Sequence, residues 1–98
     1  MEYYSFAWDE NKNVLNQKKH DISFAEAKTV FYDENAFDFY DIDHSEDEDR
    51  FILLGLSNKV RILVVSYCFN VEQSIIRIIS SRKATKKESK FYNSGGKL

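Results

Sequence analysis

The side chains of this 98-residue chain that could do chemistry are mostly cationic. Arg77, Arg82, Lys83, Lys86 and Lys87 crowd into Arg77-Ile78-Ile79-Ser80-Ser81-Arg82-Lys83-Ala84-Thr85-Lys86-Lys87-Glu88, and Lys12, Lys18, Lys19, His20, Arg50 and Tyr92 lie elsewhere. Arginine stays charged and grips phosphate oxygens with a planar fork. Histidine is the side chain whose ordinary titration range lies near neutrality, which suits proton transfer. Such a set fits metal-free cleavage of RNA. The ribose 2′-hydroxyl attacks the adjacent phosphorus, one group takes its proton, another protonates the leaving oxygen, and cations stabilise the added phosphoryl charge. The need for a 2′-hydroxyl restricts the substrate to RNA. On this reading Arg77 and Arg82 hold the scissile phosphate. Lys12 and His20 carry protons, Arg50 belongs to the same set, and Lys19, Lys83, Lys86 and Tyr92 contact the RNA.

Each of these groups has a plainer task open to it. His20 can complement a helix C-terminus. Arg77 stands within an apolar strand, where a structural salt bridge competes with phosphate binding. Arg82, at a strand end, has no evident structural task. Lys86, Lys87 and Lys90 can form a solvated helix face, and Trp8 can be core or stack on a base. Metal and cofactor chemistry finds no motif. His20 and His44 lie apart, Cys68 is alone in an apolar strand, and residues 46–49 lack the glycine and alternation of a calcium loop. There is no phosphate loop and no dinucleotide fingerprint. No metal and no cofactor is expected.

The elements that must position these residues can be read in turn. Residues 2–8 alternate, with Tyr4, Phe6 and Trp8 on one side, and predict a strand. Asp9 is an N-cap for a helix over 10–20, and Asp21 breaks it. Ser23 and Glu26 have capping-box spacing and open a second helix to about Phe31, with Phe24, Ala27 and Phe31 as its buried stripe. Phe37 and Phe39 mark an edge strand, followed by an acidic loop over 41–49. Strands follow at 51–56, 60–69 and 74–81, with Asn58 suited to a left-handed turn. Thr85 and Glu88 form another capping box, which starts a helix near Lys86 that ends at about Asn93 before Gly95-Gly96. The fold class is α+β, a largely antiparallel sheet with two N-terminal helices and a C-terminal helix, all helices on one face. Residues 1–93 make a single domain, and 94–98 a flexible tail.

Composition narrows the class further. Hydrophobic residues make up 43% of the chain, enough for a core and against disorder. One cysteine, and no secretory leader pattern, point to a reducing cytoplasm. No apolar run is long enough to span a bilayer, so no membrane role is expected. The net charge of −2 conceals a division: residues 1–50 carry −9 and residues 51–98 carry +7. That asymmetry fits a polyanion-facing half and an acidic half turned to something else, or two halves that pair with each other.

Four stretches, in order and at similar spacing, resemble the BrnT toxin family. They are Phe6-Ala7-Trp8-Asp9-Glu10-Asn11-Lys12, Lys19-His20-Asp21-Ile22-Ser23-Phe24-Ala25-Glu26-Ala27, Asp43-His44-Ser45-Glu46 with Arg50, and the stretch from Arg77 to Glu88. The resemblance covers nearly the whole chain. It implies a RelE-like α+β domain that is the ribonuclease toxin of a bacterial type II toxin–antitoxin system and inhibits translation. It also implies neutralisation by a BrnA-like antitoxin, a DNA-binding dimer that assembles with the toxin into a heterotetramer. Family members often carry proline where Glu10 stands and alanine where Ser81 stands. A non-catalytic module that binds RNA or protein through the basic C-terminal half is the competing reading.

Overall fold

The computed structural model describes residues 4–97. The first part of the expected strand over 2–8 therefore falls outside the described residues. What is seen of it is β1 (Ser5–Ala7), followed by α1 (Glu10–His20) and α2 (Phe24–Thr29), which runs on as a 3₁₀ turn (Val30–Tyr32). Strand β2 (Phe37–Tyr40), a 3₁₀ turn (Ile42–His44), β3 (Arg50–Leu56), β4 (Ile62–Asn70), β5 (Ile75–Lys83) and α3 (Lys86–Asn93) complete the chain.

The helix ends follow the capping residues. Asp9 accepts hydrogen bonds from the N–H groups of Asn11 and Lys12, and Asp21 closes α1 with φ 58°. Thr85 and Glu88 form the full capping box expected of them. Ser23 and Glu26 form only half of one. Ser23 Oγ accepts from the Glu26 N–H, while the Glu26 carboxylate turns inward to Arg61 and Ser57. A charged guanidinium competes better for that carboxylate than a backbone N–H at the cap does.

The five strands form one sheet in the order β1-β5-β4-β3-β2. Three pairings are antiparallel, and β1 lies parallel to β5 at one edge, so the sheet is mixed. Its two faces differ. On one, Leu53, Leu63, Val65, Tyr67, Ile76 and Ile78 pack against Ile22, Phe24, Ala27, Val30 and Phe31 of the α2 region to make the core. Phe31 meets both Phe6 and Tyr67 edge-to-face, at 5.2 and 4.9 Å. On the other face, α3 lays Phe91 against Phe37 and Phe39 of β2. The expectation of all helices on one face is thus corrected. Phe37 and Phe39 alternate with Asp38 and Tyr40, which puts their rings on the side away from α2 and draws α3 there.

Helix α1 does not cover a face. Its buried residues are two asparagines, Asn13 and Asn16. Because β1 pairs only with residues 75–77 of β5, the outer edge of β5 is left without a strand beyond Arg77. Asn16 extends the ladder with its side chain: Nδ2 donates to the Ser81 carbonyl at 2.9 Å, and Oδ1 accepts from the Ser81 N–H at 3.1 Å. Asn13 accepts from the Phe24 N–H at 2.8 Å and ties α1 to α2.

Two turns differ from expectation. In the β3–β4 hairpin the left-handed residue is Val60 (φ 60°), not Asn58. Asn58 instead donates its N–H to Thr29 Oγ1 at 2.9 Å, which fixes the turn one step later. On β3, Gly55 lies under the α2 region, where an added Cβ would come within 2.8 Å of Val30 Cγ1 and 2.9 Å of Ala36 Cβ. Gly55→Ala is expected to cost about 1–3 kcal/mol, seen as a lower midpoint in urea unfolding; an unchanged midpoint would show that Val30 and Ala36 can give way.

Candidate functional site

Arg77 and Arg82 are five residues apart on one strand. In a regular strand an odd separation sends two side chains to opposite faces. Here it does not, because β5 carries one extra residue. Tyr67 pairs with Ile78 and the next residue back, Ser66, pairs with Ser80, so Ile79 is bulged out of the register. Beyond the bulge the phase is reversed. Cys68 faces Arg77 and Val64 faces Arg82, and those two β4 residues are four apart, hence on one face. Arg50 pairs with the same Cys68 from β3. The result is a single face, opposite the α2 core, that presents Arg50, Arg77 and Arg82.

Each of the two β5 arginines carries a carboxylate. Arg77 donates to Glu48, from the acidic loop, and both side chains are about half exposed. The Arg77 hydrogen bond, with a smaller one from Cys68, holds the Glu48 carboxyl below its ordinary range. Burial pushes the Cys68 thiol up, and Glu48 adds to that, so this sulfur is not an activated nucleophile. Arg82 grips Glu88 with both terminal nitrogens, at 2.8 and 3.0 Å. Glu88 also accepts from the Thr85 N–H at 2.8 Å. Arg82 therefore has a structural task after all: it ties the end of β5 to the first turn of α3. Its Nε–H takes no part in that grip.

The acidic loop is ordered from within. His44 Nδ1 pairs with Asp41 at 2.9 Å, and the Arg50 N–H donates to Ser45 Oγ at 3.0 Å. Asp43, His44, Glu46, Asp47, Glu48 and Arg50 line a shallow cavity of about 310 Å³. Among the described residues no group of three or more His, Cys, Asp or Glu side chains is placed to hold a metal ion.

None of the remaining expected residues is a strand residue turned to the arginine face, though Lys86 and Tyr92 belong to α3, which packs on that side of the sheet. Lys12 and Lys19 are exposed on α1, four and three residues from Asn16 and so on the flank that meets the β5 edge. His20 is half-buried in the last turn of α1. Lys83 pairs with Leu63 and so points to the core side of the sheet, near its rim. Lys86 is exposed in the first turn of α3. Tyr92 is held within the fold, where its hydroxyl donates to Asp33 Oδ2 at 2.6 Å. Burial and that carboxylate push the Tyr92 hydroxyl up to about 12. Asp33 also accepts from the Leu56 N–H at 2.8 Å, and these bonds outweigh burial and keep its own carboxyl low. The sequence reading missed Glu48 as the partner of Arg77. No short spacing signals it, because the two residues meet only when β3 and β5 flank β4.

The Arg82–Glu88 pair gives a pH dependence. Contact with Arg82, against a smaller effect of burial, lowers the Glu88 carboxyl from 4.5 to about 2. A depressed carboxyl contributes stability above its unfolded value and loses it as pH falls through the folded one. Stability should thus decline between about pH 4.5 and 2, and the gap between the wild type and Glu88→Gln in urea unfolding should close over that interval. A gap that stays constant down to pH 2 would remove Glu88 from this role.

Comparison with known proteins agrees with the architecture. The family model described as the ribonuclease toxin BrnT of type II toxin–antitoxin systems matches residues 8–88. The crystal structure of the Brucella abortus ribonuclease toxin BrnT matches with a TM-score of 0.64 and 25% identity, covering 85% of this chain and 99% of that one. No curated protein matches the chain. With the α+β fold, the strand–helix junction and the match over residues 8–88 in agreement, the chain belongs to the BrnT family of ribonuclease toxins of type II toxin–antitoxin systems.

Proposed function

We propose that this toxin cleaves RNA without a metal, on the arginine face of its sheet, and so inhibits translation in the cytoplasm. The carrying observation is the bulge at Ile79, which brings Arg77 and Arg82 to the side of the sheet where Arg50 also stands. Arg77 and Arg82 bind the scissile phosphate and stabilise its extra charge. A base takes the 2′-hydroxyl proton, O2′ bonds to phosphorus, and the P–O5′ bond breaks. The leaving oxygen takes a proton, giving a 2′,3′-cyclic phosphate and a 5′-hydroxyl end. His20 and Lys12, on the helix that borders β5, are the proton carriers. Exposed Lys19 and Lys86 add positive charge for the RNA backbone.

The antitoxin partner is a BrnA-like DNA-binding dimer, with which the toxin forms a heterotetramer. Apart from Glu48, which pairs with Arg77, the acidic loop over 41–49 turns to solvent or to that partner, because a run of carboxylates repels RNA.

The test is cleavage of a labelled RNA by antitoxin-free protein, with and without EDTA, beside Arg82→Ala. Cleavage is expected to survive EDTA and to be lost in the variant, with circular dichroism reporting whether α3 stays folded. Cleavage at the wild-type rate by a folded Arg82→Ala protein would refute the site; cleavage abolished by EDTA would refute the metal-free reaction.

A further inference from the structure

Helix α3 covers the Val64 end of the arginine face, where Phe91 and Val64 line one cavity. The Arg77 end is open. There the acidic loop and the β4–β5 hairpin enclose another cavity of about 580 Å³, within the range of small-ligand clefts, about 300–1,000 Å³. Asn70 pairs with Ile75, and each is two residues from the Cys68–Arg77 pair, so all four share the arginine side of the sheet. Cys68 and Ile75 give the cavity an apolar floor. Arg77 lines it too, so whatever fills it lies beside the phosphate that Arg77 holds. The other charged side chains of the lining are Glu48, Asp49 and Glu72, all acidic. They repel a further phosphate. A nucleobase is flat and uncharged, and its N–H groups can donate to a carboxylate.

Two side chains of the lining decide which base fits. Asn70 Oδ1 accepts from the Gln73 N–H at 3.0 Å. That bond fixes the amide and leaves its Nδ2–H groups as donors, without a partner among the described residues. Glu48 is held by Arg77. When a phosphate takes Arg77, the carboxylate is released at the cavity wall as a two-oxygen acceptor. Guanine sets an acceptor, O6, beside two donors, N1–H and the N2 amino group. Asn70 can donate to the first and Glu48 can accept from both of the others. Adenine and cytosine put a donor where O6 stands, and uracil has one N–H on that edge. We infer that this cavity is a base subsite, in which Asn70 and Glu48 select a guanine of single-stranded RNA beside the scissile phosphate. The inference rests on the proposed RNA-cleaving face and deepens it. Arg77 and Arg82 hold the one scissile phosphate, and the cavity decides which phosphate that is. Asn70 and Glu48 select the base and move no proton.

The experiment follows cleavage of oligouridylates that carry one guanosine, adenosine or cytidine at the same position, by the full-length, antitoxin-free toxin. The kcat/KM at the phosphate beside guanosine is expected to exceed that of the all-uridine RNA by at least about tenfold. Inosine, which lacks the N2 amino group, should lose part of that advantage, and 7-deazaguanosine should keep it. Asn70→Asp retains the Oδ1 acceptor for the hairpin and removes the amide donors, so the guanosine-to-uridine ratio should fall by about tenfold. Glu48→Gln frees Arg77 for any RNA but loses the acceptor for the two N–H groups, so the same ratio should fall there too. A change confined to hairpin stability would move both RNAs alike and leave the ratio in place. Equal rates beside all four bases, a preference for a base other than guanine, or a guanosine preference kept in both variants would overturn the base subsite. The arginine site would still stand if Arg77→Ala abolishes cleavage. A folded wild-type protein that cleaves none of these RNAs would overturn both.

Discussion

Arg77→Ala is expected to cut RNA cleavage by about 10²–10³-fold, the effect of removing one preformed donor to a developing anion. Stability should hardly change. The Arg77–Glu48 pair is about half exposed, and exposed pairs contribute roughly 0–1 kcal/mol. The variant should therefore melt within a few degrees of the wild type, which separates lost chemistry from lost folding. Arg77→Lys should recover little, because a point charge replaces the fork that meets two phosphate oxygens. Glu48→Gln should act in the opposite sense on binding, since it removes the carboxylate that RNA phosphate must displace from Arg77. Single-turnover cleavage and oligonucleotide binding read the two effects apart. An Arg77→Ala enzyme that cleaves within threefold of the wild type would show that the phosphate is held elsewhere.

The second large effect concerns folding, at the far end of the molecule. Glu26 is 3% exposed. It is paired with Arg61, which donates from Nε at 2.9 Å and again from a terminal nitrogen, and with Ser57, whose hydroxyl donates at 2.7 Å. Arg61 also donates to the Asp21 carbonyl at 3.0 Å. The cluster joins the start of α2 to the β3–β4 hairpin. Burial raises the Glu26 carboxyl, but the bonds from Arg61 and Ser57 overcome it and keep the group charged. Arg61→Ala leaves that charge buried without its partner, at a cost of about 3–5 kcal/mol. For a domain of this size that corresponds to a drop of more than about 10 °C in Tm. A Glu26→Leu/Arg61→Met double variant should regain most of the loss, because replacing both partners removes the desolvated charge with the bond. A small loss in Arg61→Ala would mean that water reaches Glu26.

The sequence by itself determined the local elements and the composition of the site. Asp9, Asp21 and the Thr85–Glu88 box set helix ends where they are found, because capping acts over three or four residues and is legible in a short window. The order of strand, two helices, four strands and helix was likewise open to period counting. So was the family, through four short stretches in register. Tertiary structure decided what depends on distant pairing. The side of the sheet that α3 covers, the parallel placement of β1 and the Asn16 link to Ser81 join residues from opposite ends of the chain. The Glu26–Arg61 bond overrode a cap that its own spacing had offered. Above all, five residues separate Arg77 from Arg82, and alternation alone would have parted them. The register of β5 against β4 inserts one extra residue and brings them together. A strand's phase is set by its neighbour's hydrogen bonds, which no window along one chain contains.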